Sequence, residues 1–399
     1  MSNQTGASRV GPLRRHRRLF LAILVSHVGL LVVHRWSTLP GLSFNLNVDL
    51  LKNATHSDMD SLNWWRDCVD NVAVTFEKWK GQTYSWCVED SSNDSSLTGL
   101  ILSKTFKTGS STAAALTLRI SHRVAQRYLK QHHCKTFLDH SFMRRNLHSF
   151  REQPSLLWTI VRNPAKRAIS SINYFQVGLH GKQFSDQEMI TRLSKLKNVQ
   201  LQQIRDFKGA VKPALTSSIL NSTQNVIELM KQSVFNKYDF IAVNERWEES
   251  VAVMQLLFDL EDEDMIVLSA KRSGSWAWNV KEGEESRCFV IPRATQSDKV
   301  KIFLQTDFTY RNADFLLHAV ANKSLDLTID SLGRDLVATK VNILRYLQEL
   351  VERNCLNSTV FPCASNGTYQ SQSKDDCYWR DMGCGFRCID RVLSRFDQG

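Results

Sequence analysis

Short apolar runs alternate with longer amphipathic segments from about residue 99 onward, and this alternation restricts the fold more than any other feature of the sequence. A short apolar run bounded by turn residues predicts a buried strand, and an amphipathic segment predicts a helix packed beside it. Strands and helices that alternate along a chain form βα units around a mainly parallel sheet. The sequence therefore predicts an α/β fold, a parallel sheet flanked by helices.

The composition agrees with a globular protein. Of the 399 residues, 42% are hydrophobic and 23% are charged, which excludes collagen-like, low-complexity and multi-pass membrane proteins. The predicted strands are 100–103, 136–138, 156–161, 240–243 and 265–268. The predicted helices are 111–129, 165–176, 186–204, 248–257, 307–321 and 335–354.

An apolar run at residues 19–33 follows five arginines and no acidic residue. The run is short for a membrane span, which needs about 20 residues, but the flanking residues can extend it. A cleaved signal peptide would end in a small-residue site, whereas this run ends in His34, Arg35 and Trp36. We therefore expect an uncleaved signal anchor at 19–36, a cytosolic tail at 1–18 and a lumenal body.

Two features agree with a lumenal body. The first is a set of glycosylation sequons beyond the anchor, at Asn53, Asn93, Asn221, Asn322, Asn357 and Asn366. The second is a set of nine cysteines, five of them in the last 45 residues, which favours disulfides in an oxidising compartment. A metal site is not expected, because there is no Cys-x-x-Cys pair and no histidine after His318.

The sequence divides into further segments after the anchor. Residues 37–96 begin with a stretch to about residue 60 that has no sustained hydrophobic periodicity, which is typical of a stem. The rest of this segment carries four tryptophans, which is typical of a Trp-rich flap. Residues 97–354 contain the alternating elements and form the predicted catalytic domain. Residues 355–399 form a Cys-rich C-terminal extension.

The chemistry is concentrated at the ends of two predicted strands, 100–103 and 156–161. Strand 100–103 leads into the loop KTFKTG and then a helix that begins SST, so that backbone N–H groups, hydroxyls and lysines can face an anion. The loop is not a Walker A motif, because its lysines precede the glycine. The candidate anion ligands here are Lys104, Lys107, Thr108, Gly109, Ser110, Ser111 and Thr112.

A second strand of the same type, 156–161, leads into Arg162 and a helix that begins at a proline. Arg162 at the strand end and Ser170 two turns into that helix can meet one phosphate group. Ligands of open α/β sheets bind outside the carboxyl ends of the strands. Two phosphate sites on neighbouring strand ends predict a nucleotide with phosphates on both ends of its ribose.

The stretches LSKTFKTGSST and TIVRNPAKRAISSINYF resemble the membrane-bound Golgi carbohydrate sulfotransferases, most closely the galactose 3-O-sulfotransferase and cerebroside sulfotransferase group. The order of the two motifs, their spacing and the type II topology are also similar to that group. The resemblance is clear over residues 100–175 and looser at NERWEESVAVMQLLF and ANKSLDLTI. It implies the sulfotransferase fold, the Golgi membrane as location and 3'-phosphoadenylyl sulfate as co-substrate.

Carried to this sequence, the resemblance implies that residues 107–112 hold the 5'-phosphosulfate, with Lys107 at the bridging oxygen. It implies that Arg162 and Ser170 hold the 3'-phosphate. It also implies a histidine base on the strand between the two motifs, which is His140 here, with His132 and His133 as alternatives. A neutral imidazole can accept the proton of an attacking hydroxyl near neutral pH.

Other functions fit the sequence less well. A glycosyltransferase would share the topology but would carry an Asp-x-Asp metal site at a strand end, and the two such triplets, at 58–60 and 262–264, lie in the stem and in an acidic connection. A lumenal kinase and a non-enzymatic glycan-binding ectodomain are the remaining alternatives.

The modest charge after the anchor argues against nucleic acid as a partner. The expected acceptor is a glycan or glycolipid, bound by loops that include 176–187 and 272–293, where Trp276 and Trp278 either stack on a sugar or form a folded aromatic patch.

Overall fold

The computed structural model describes residues 65–77, 100–132, 156–205, 222–268, 274–279, 287–293, 295–370 and 385–396. The expected tail and anchor, most of the stem, and the predicted strand 136–138 lie outside these ranges. Among the described residues, no helix combines the length and the apolar character needed to cross a bilayer.

A three-stranded parallel sheet forms the centre of the fold. Its strands are β1 (Leu100–Ser103), β2 (Leu156–Val161) and β3 (Phe240–Val243), in the order β1-β2-β3. Every residue of the three strands is buried. Burial on both faces explains why these strands read as continuous apolar runs in the sequence.

Ten α-helices are present in the described ranges, and several are extended by shorter helical turns. They are α1 (Ser110–His132), α2 (Pro164–Ile172), α3 (Asp186–Ser194), α4 (Val199–Arg205), α5 (Thr223–Met230), α6 (Trp247–Leu257), α7 (Asp298–Gln305), α8 (Ala313–Leu332), α9 (Arg334–Cys355) and α10 (Phe386–Phe396). Helix α2 continues into a π-helical turn, Asn173–Gly178. A π-helical turn inside a helix is frequently found at a functional site.

The predicted α/β class is confirmed, as are the strands at 100–103, 156–161 and 240–243. The predicted strand 265–268 is wrong. Met265 ends a 3₁₀ turn, Asp262–Met265, and the next three residues are buried without pairing to a strand in the described part of the chain. An apolar run indicates that a segment is buried, but a buried segment is a strand only if it pairs with another strand.

Two helix predictions differ from the structure for a local reason. The predicted helix 186–204 is split into α3 and α4, because Asn198 adopts a left-handed φ of 61° and the buried Asp314 accepts the N–H groups of Gln200 and Leu201. The predicted helix 307–321 begins only at Ala313 and continues to Leu332, with the Asn312 side chain accepting the N–H of Asp314 as an N-cap.

The described part of the expected flap packs into the core. The backbone N–H groups of Val74 and Phe76 donate to the hydroxyls of Ser324 and Thr328 on α8, both at 3.0 Å. The Phe76 ring lies edge-on to Phe240 of β3, with 5.6 Å between centroids. Residues 73–77 are therefore an integral part of the main domain.

A separate antiparallel pair, β4 (Trp276–Asn279) and β5 (Arg287–Val290), lies within the segment expected to form a loop. A disulfide joins Cys288 of β5 to Cys363. A second disulfide, Cys355–Cys388, joins the end of α9 to α10. The expectation of disulfides in the Cys-rich extension is confirmed for these two bonds. Cys68 is a buried thiol, and its burial, together with the nearby Asp67 carboxylate, raises its pKa.

We expect Cys388→Ser to lower the free energy of unfolding by about 2–5 kcal/mol, since the bond closes a loop of 33 residues in sequence and restricts the unfolded chain. Denaturant unfolding without reductant measures the difference, and addition of reductant to both proteins should remove it. An equal stability of the two oxidised proteins would show that the Cys355–Cys388 bond does not stabilise the fold.

Candidate functional site

The carboxyl ends of the three parallel strands meet at one edge of the sheet. Strand β1 leads into the loop 104–109, β2 leads into Arg162, and β3 leads into Asn244. Because β1 and β2 pair directly, the two segments predicted to bind phosphate groups lie side by side. The prediction of neighbouring strand ends is confirmed.

The loop after β1 has the backbone of an anion-binding turn. Lys107 adopts a left-handed φ of 65° and Gly109 a φ of 85°. A Cβ at position 109 would meet the side chain of Asn244, and its φ is one that residues other than glycine rarely adopt, so glycine is strongly favoured here. A turn that enters the left-handed region directs successive N–H groups to one side, where they can surround an anion.

Two buried threonine hydroxyls stabilise this loop through hydrogen bonds. Thr105 Oγ1 donates to the carbonyl of Ile160 at 2.7 Å and lies 2.7 Å from Thr108 Oγ1. Both side chains are fully buried. Thr108 was expected to hold the anion, but its hydroxyl is used inside the loop, and only its backbone N–H remains for a ligand.

The first turn of α1 provides the remaining predicted groups. The hydroxyls of Ser110, Ser111 and Thr112 make no hydrogen bond in the described part of the chain. The first N–H groups of any α-helix lack partners within the helix. Lys104 is half-buried at the start of the loop. The three hydroxyls and the first N–H groups thus lie at the positive end of the α1 dipole.

Lys107 is held by an aromatic ring. Its Nζ lies 3.7 Å from the ring centroid of Tyr174, in the π-helical turn after α2. Tyr174 is itself buried and packs edge-on against Phe175 and Phe289. The contact fixes the lysine by a cation–π interaction beside the loop, so the ammonium group is positioned before any ligand binds.

Arg162 connects the two predicted phosphate segments. Its Nη1 donates to the carbonyl oxygen of Lys107 at 3.1 Å, and its backbone N–H and C=O both bond to the side-chain amide of Gln200. Arg162 Nε is buried and has no hydrogen-bond partner within the described ranges. Burial lowers the pKa of Arg162, and the nearby Glu245 carboxylate opposes that shift. The Arg162 Nε–H can therefore donate to an anion at this strand end.

The remaining predicted site residues are Ser170 and the three candidate histidines. Ser170 lies half-buried on α2, and its hydroxyl makes no hydrogen bond among the described residues, to Arg162 or to any other group. His132 is the last residue of α1, and its side chain is not described. His140 and His133 lie outside the described residues, so the base stays a prediction.

Sequence reasoning missed the pair Glu245 and His318. Glu245 follows Asn244 at the end of β3, accepts the backbone N–H of Asn163 and lies 3.1 Å from His318 Nε2. Burial raises the pKa of Glu245, but hydrogen bonds from His318 and from the Asn163 backbone outweigh it and hold the pKa below the ordinary value. The rule that ligands bind at strand ends would have found Asn244 and Glu245 had it been applied to the third strand as well.

Trp276 and Trp278 form part of a folded patch. Trp276 Nε1 donates to the carbonyl of Ser365, and the Trp278 ring packs against Tyr369 at 5.7 Å between centroids. The sequence left two interpretations of these tryptophans, stacking on a sugar or a folded aromatic patch, and these contacts agree with the patch. Among the described residues, no group of three metal-ligating side chains is found.

Comparison of the chain with protein-family models, with curated proteins and with solved structures found no match.

We expect Gly109→Ala to lower the free energy of unfolding by about 1–3 kcal/mol, because alanine is strained at this φ and its Cβ meets Asn244. It should also disrupt anion binding by the loop. Gly333→Ala is the matched control, because Gly333 has a φ of 97° but no atom within 4 Å of an added Cβ. Equal losses of stability in the two variants would show that the contact with Asn244 is unimportant.

Proposed function

We propose that this protein transfers a sulfuryl group from 3'-phosphoadenylyl sulfate to a hydroxyl group of a glycan or glycolipid. The observation that carries the proposal is the position of Arg162. Its Nη1 donates to the carbonyl oxygen of Lys107, and its buried Nε has no hydrogen-bond partner in the part of the chain that the structure describes. One cation thus lies between two donor-rich segments, which suits a nucleotide with phosphates on both its 5' and 3' sides.

In this proposal the loop and the first turn of α1 hold the 5'-phosphosulfate through the N–H groups of residues 107–112 and the hydroxyls of Ser110, Ser111 and Thr112. Arg162 and Ser170 hold the 3'-phosphate. Lys107 neutralises the bridging oxygen, which carries the negative charge that develops as the bond from sulfur to that oxygen breaks.

The reaction itself needs little covalent chemistry from the protein. The acceptor oxygen attacks sulfur in line with the leaving phosphate, the hydroxyl proton passes to a base, and adenosine 3',5'-bisphosphate leaves. Positioning and charge stabilisation account for most of the acceleration in the analogous phosphoryl transfers. We assign the base to His140, with His132 and His133 as alternatives, and we expect no metal ion.

The proposal also includes the sulfotransferase fold and the location. An N-terminal anchor would place the domain in the Golgi lumen, as expected from the arginine-flanked apolar run and the sequons. Three of the six sequons lie in the described part of the chain. Asn357 and Asn366 are exposed, whereas Asn322 is half-buried within α8 and its Nδ2 donates to the His318 carbonyl at 2.8 Å. Asn366 is exposed in a turn, and its Oδ1 accepts the hydroxyl of Thr368 at 2.8 Å.

A glycosyltransferase remains the alternative that an experiment must exclude. Its metal site would need free carboxylates, but Asp262 is bound by Lys340 at 2.7 Å and Asp264 by Arg127 at 2.6 Å. These ion pairs explain the acidic triplet 262–264 without a metal.

Incubation of the full chain with a mixture of membrane glycans and 3'-phosphoadenylyl [³⁵S]sulfate tests the proposed activity, with radiolabelled nucleotide sugars in parallel. We expect label to pass to glycan only from the sulfate donor. Label from a nucleotide sugar alone would identify a glycosyltransferase and overturn the proposal.

A further inference from the structure

A groove of about 690 Å³ lies beside the candidate donor site, between α2 with its π-helical turn and helix α3. Ser171, Phe175 and Gln176 line one side of it, and Thr191, Arg192 and Lys195 line the other. Its volume falls within the range of about 300–1,000 Å³ typical of sites for small ligands. The groove is therefore large enough for a short oligosaccharide.

The groove is connected to the donor site through aromatic contacts. Phe175, on its wall, packs edge-on against Tyr174 at 4.9 Å and against Phe106 of the loop at 6.5 Å. Tyr174 in turn carries the ammonium group of Lys107 on its ring. Ser171 in the groove wall directly follows Ser170, the expected ligand of the 3'-phosphate. A molecule in the groove would thus lie next to the donor loop.

The lining combines apolar surface, which includes the Phe175 ring, with polar side chains, and sugar binding uses both. Gln176 and Thr191 offer hydrogen bonds to hydroxyl groups, and the half-buried Phe175 offers an aromatic side chain to the apolar side of a sugar ring. A site for a purely apolar ligand would not place amide and hydroxyl groups along its wall.

The charges of the groove favour an acidic ligand. Among the described lining residues, Glu188 is the one carboxylate, and its oxygen accepts the N–H and the hydroxyl of Ser185 in the N-terminal cap of α3. Arg192 stacks on Phe184 at 4.3 Å from the ring centroid, and the side chain of the exposed Lys195 has no ionic partner among the described residues. Two cations against one engaged carboxylate leave a positive excess.

We propose that this groove binds the acceptor, and that the acceptor is a short oligosaccharide with a carboxylate or other acidic group that Lys195 and Arg192 contact. This inference rests on the proposed function, because it needs a sulfuryl donor at the adjoining loop. It assigns Phe175 to sugar stacking, and Gln176 and Thr191 to hydroxyl recognition.

The test uses the full chain, two saccharide probes and the variants Lys195→Glu and Phe175→Ala. The probes are lactose, which is neutral, and a disaccharide of glucuronic acid and galactose. Saturation-transfer NMR without donor measures saccharide binding, calorimetry with adenosine 3',5'-bisphosphate measures the donor site, and sulfate transfer gives KM. Lys299→Ala is the control, since Lys299 is an exposed lysine on α7 outside the groove.

We expect Lys195→Glu to weaken binding of the acidic disaccharide about five- to tenfold and to change lactose binding less. Phe175→Ala should weaken both saccharides. The bisphosphate affinity of Lys195→Glu should equal that of the wild type. Absence of saccharide binding to the wild type, or unchanged binding in both variants, would overturn the groove assignment.

The remaining outcomes separate this inference from the proposed function. Loss of bisphosphate affinity in Lys195→Glu would assign the groove to the nucleotide and overturn the acceptor site. Saccharide binding that depends on Lys195, combined with no bisphosphate binding and no sulfate transfer, would support a saccharide groove and refute sulfuryl transfer.

Discussion

Replacement of Lys107 by alanine should lower the turnover of sulfuryl transfer by about 10²–10³-fold, the loss seen when one positioned donor to a developing negative charge is removed. The ammonium group is held on Tyr174 at 3.7 Å, so it is already in place when the charge develops on the bridging oxygen. Binding of adenosine 3',5'-bisphosphate should also weaken, because the former bridging oxygen stays on the 5'-phosphate of this product and carries negative charge there, whereas it carries little charge in the intact donor.

The measurement is single-turnover transfer of radiolabelled sulfate at saturating donor, with Lys299→Ala as the matched lysine control. A Lys107→Ala protein with wild-type turnover would remove Lys107 from the catalytic machinery. A protein that loses affinity for 3'-phosphoadenylyl sulfate as strongly as turnover would show that the residue binds the ground-state donor rather than the transition state.

The second large effect concerns Arg162. Arg162→Ala should weaken binding of adenosine 3',5'-bisphosphate by about 10- to 150-fold, which corresponds to the roughly 1.5–3 kcal/mol of a hydrogen bond to a charged group. Arg162→Lys should restore little of the loss, because an ammonium group cannot contact both phosphate and the Lys107 carbonyl with a planar fork.

Calorimetric titration of the three proteins checks this prediction. Arg167→Lys is not a suitable control, because Arg167 is buried and donates to the Leu196 carbonyl, so its replacement would affect folding. Lys166→Ala is the better control, because Lys166 is a half-buried cation on α2, close to Arg162 in sequence. Equal bisphosphate affinity in wild type and Arg162→Ala would refute the site.

The sheet and the position of the site were predictable from sequence because both depend on local patterns. Strands β1, β2 and β3 read as apolar runs since both their faces are buried, and the loop with Gly109 is a local turn of the chain. Parallel strands place their carboxyl ends at one edge, so the proximity of Lys107 and Arg162 follows from the fold class.

Long-range packing was not predictable in the same way. The break between α3 and α4 depends on Asp314, which is more than 100 residues away in sequence and buries its carboxylate against the N–H groups of Gln200 and Leu201. The same holds for Thr108, whose residue type suits a phosphate ligand but whose hydroxyl turns inward to Thr105. No residue pattern along the chain reports such contacts.

The most direct test of the central claim is a calorimetric comparison of two nucleotides on the full chain. Adenosine 3',5'-bisphosphate should bind at least about tenfold tighter than adenosine 5'-monophosphate, because only the former carries a 3'-phosphate for Arg162 and Ser170. The difference should disappear in Arg162→Ala. Equal affinity of the wild type for both nucleotides, or binding of neither, would contradict a site built for 3'-phosphoadenylyl sulfate.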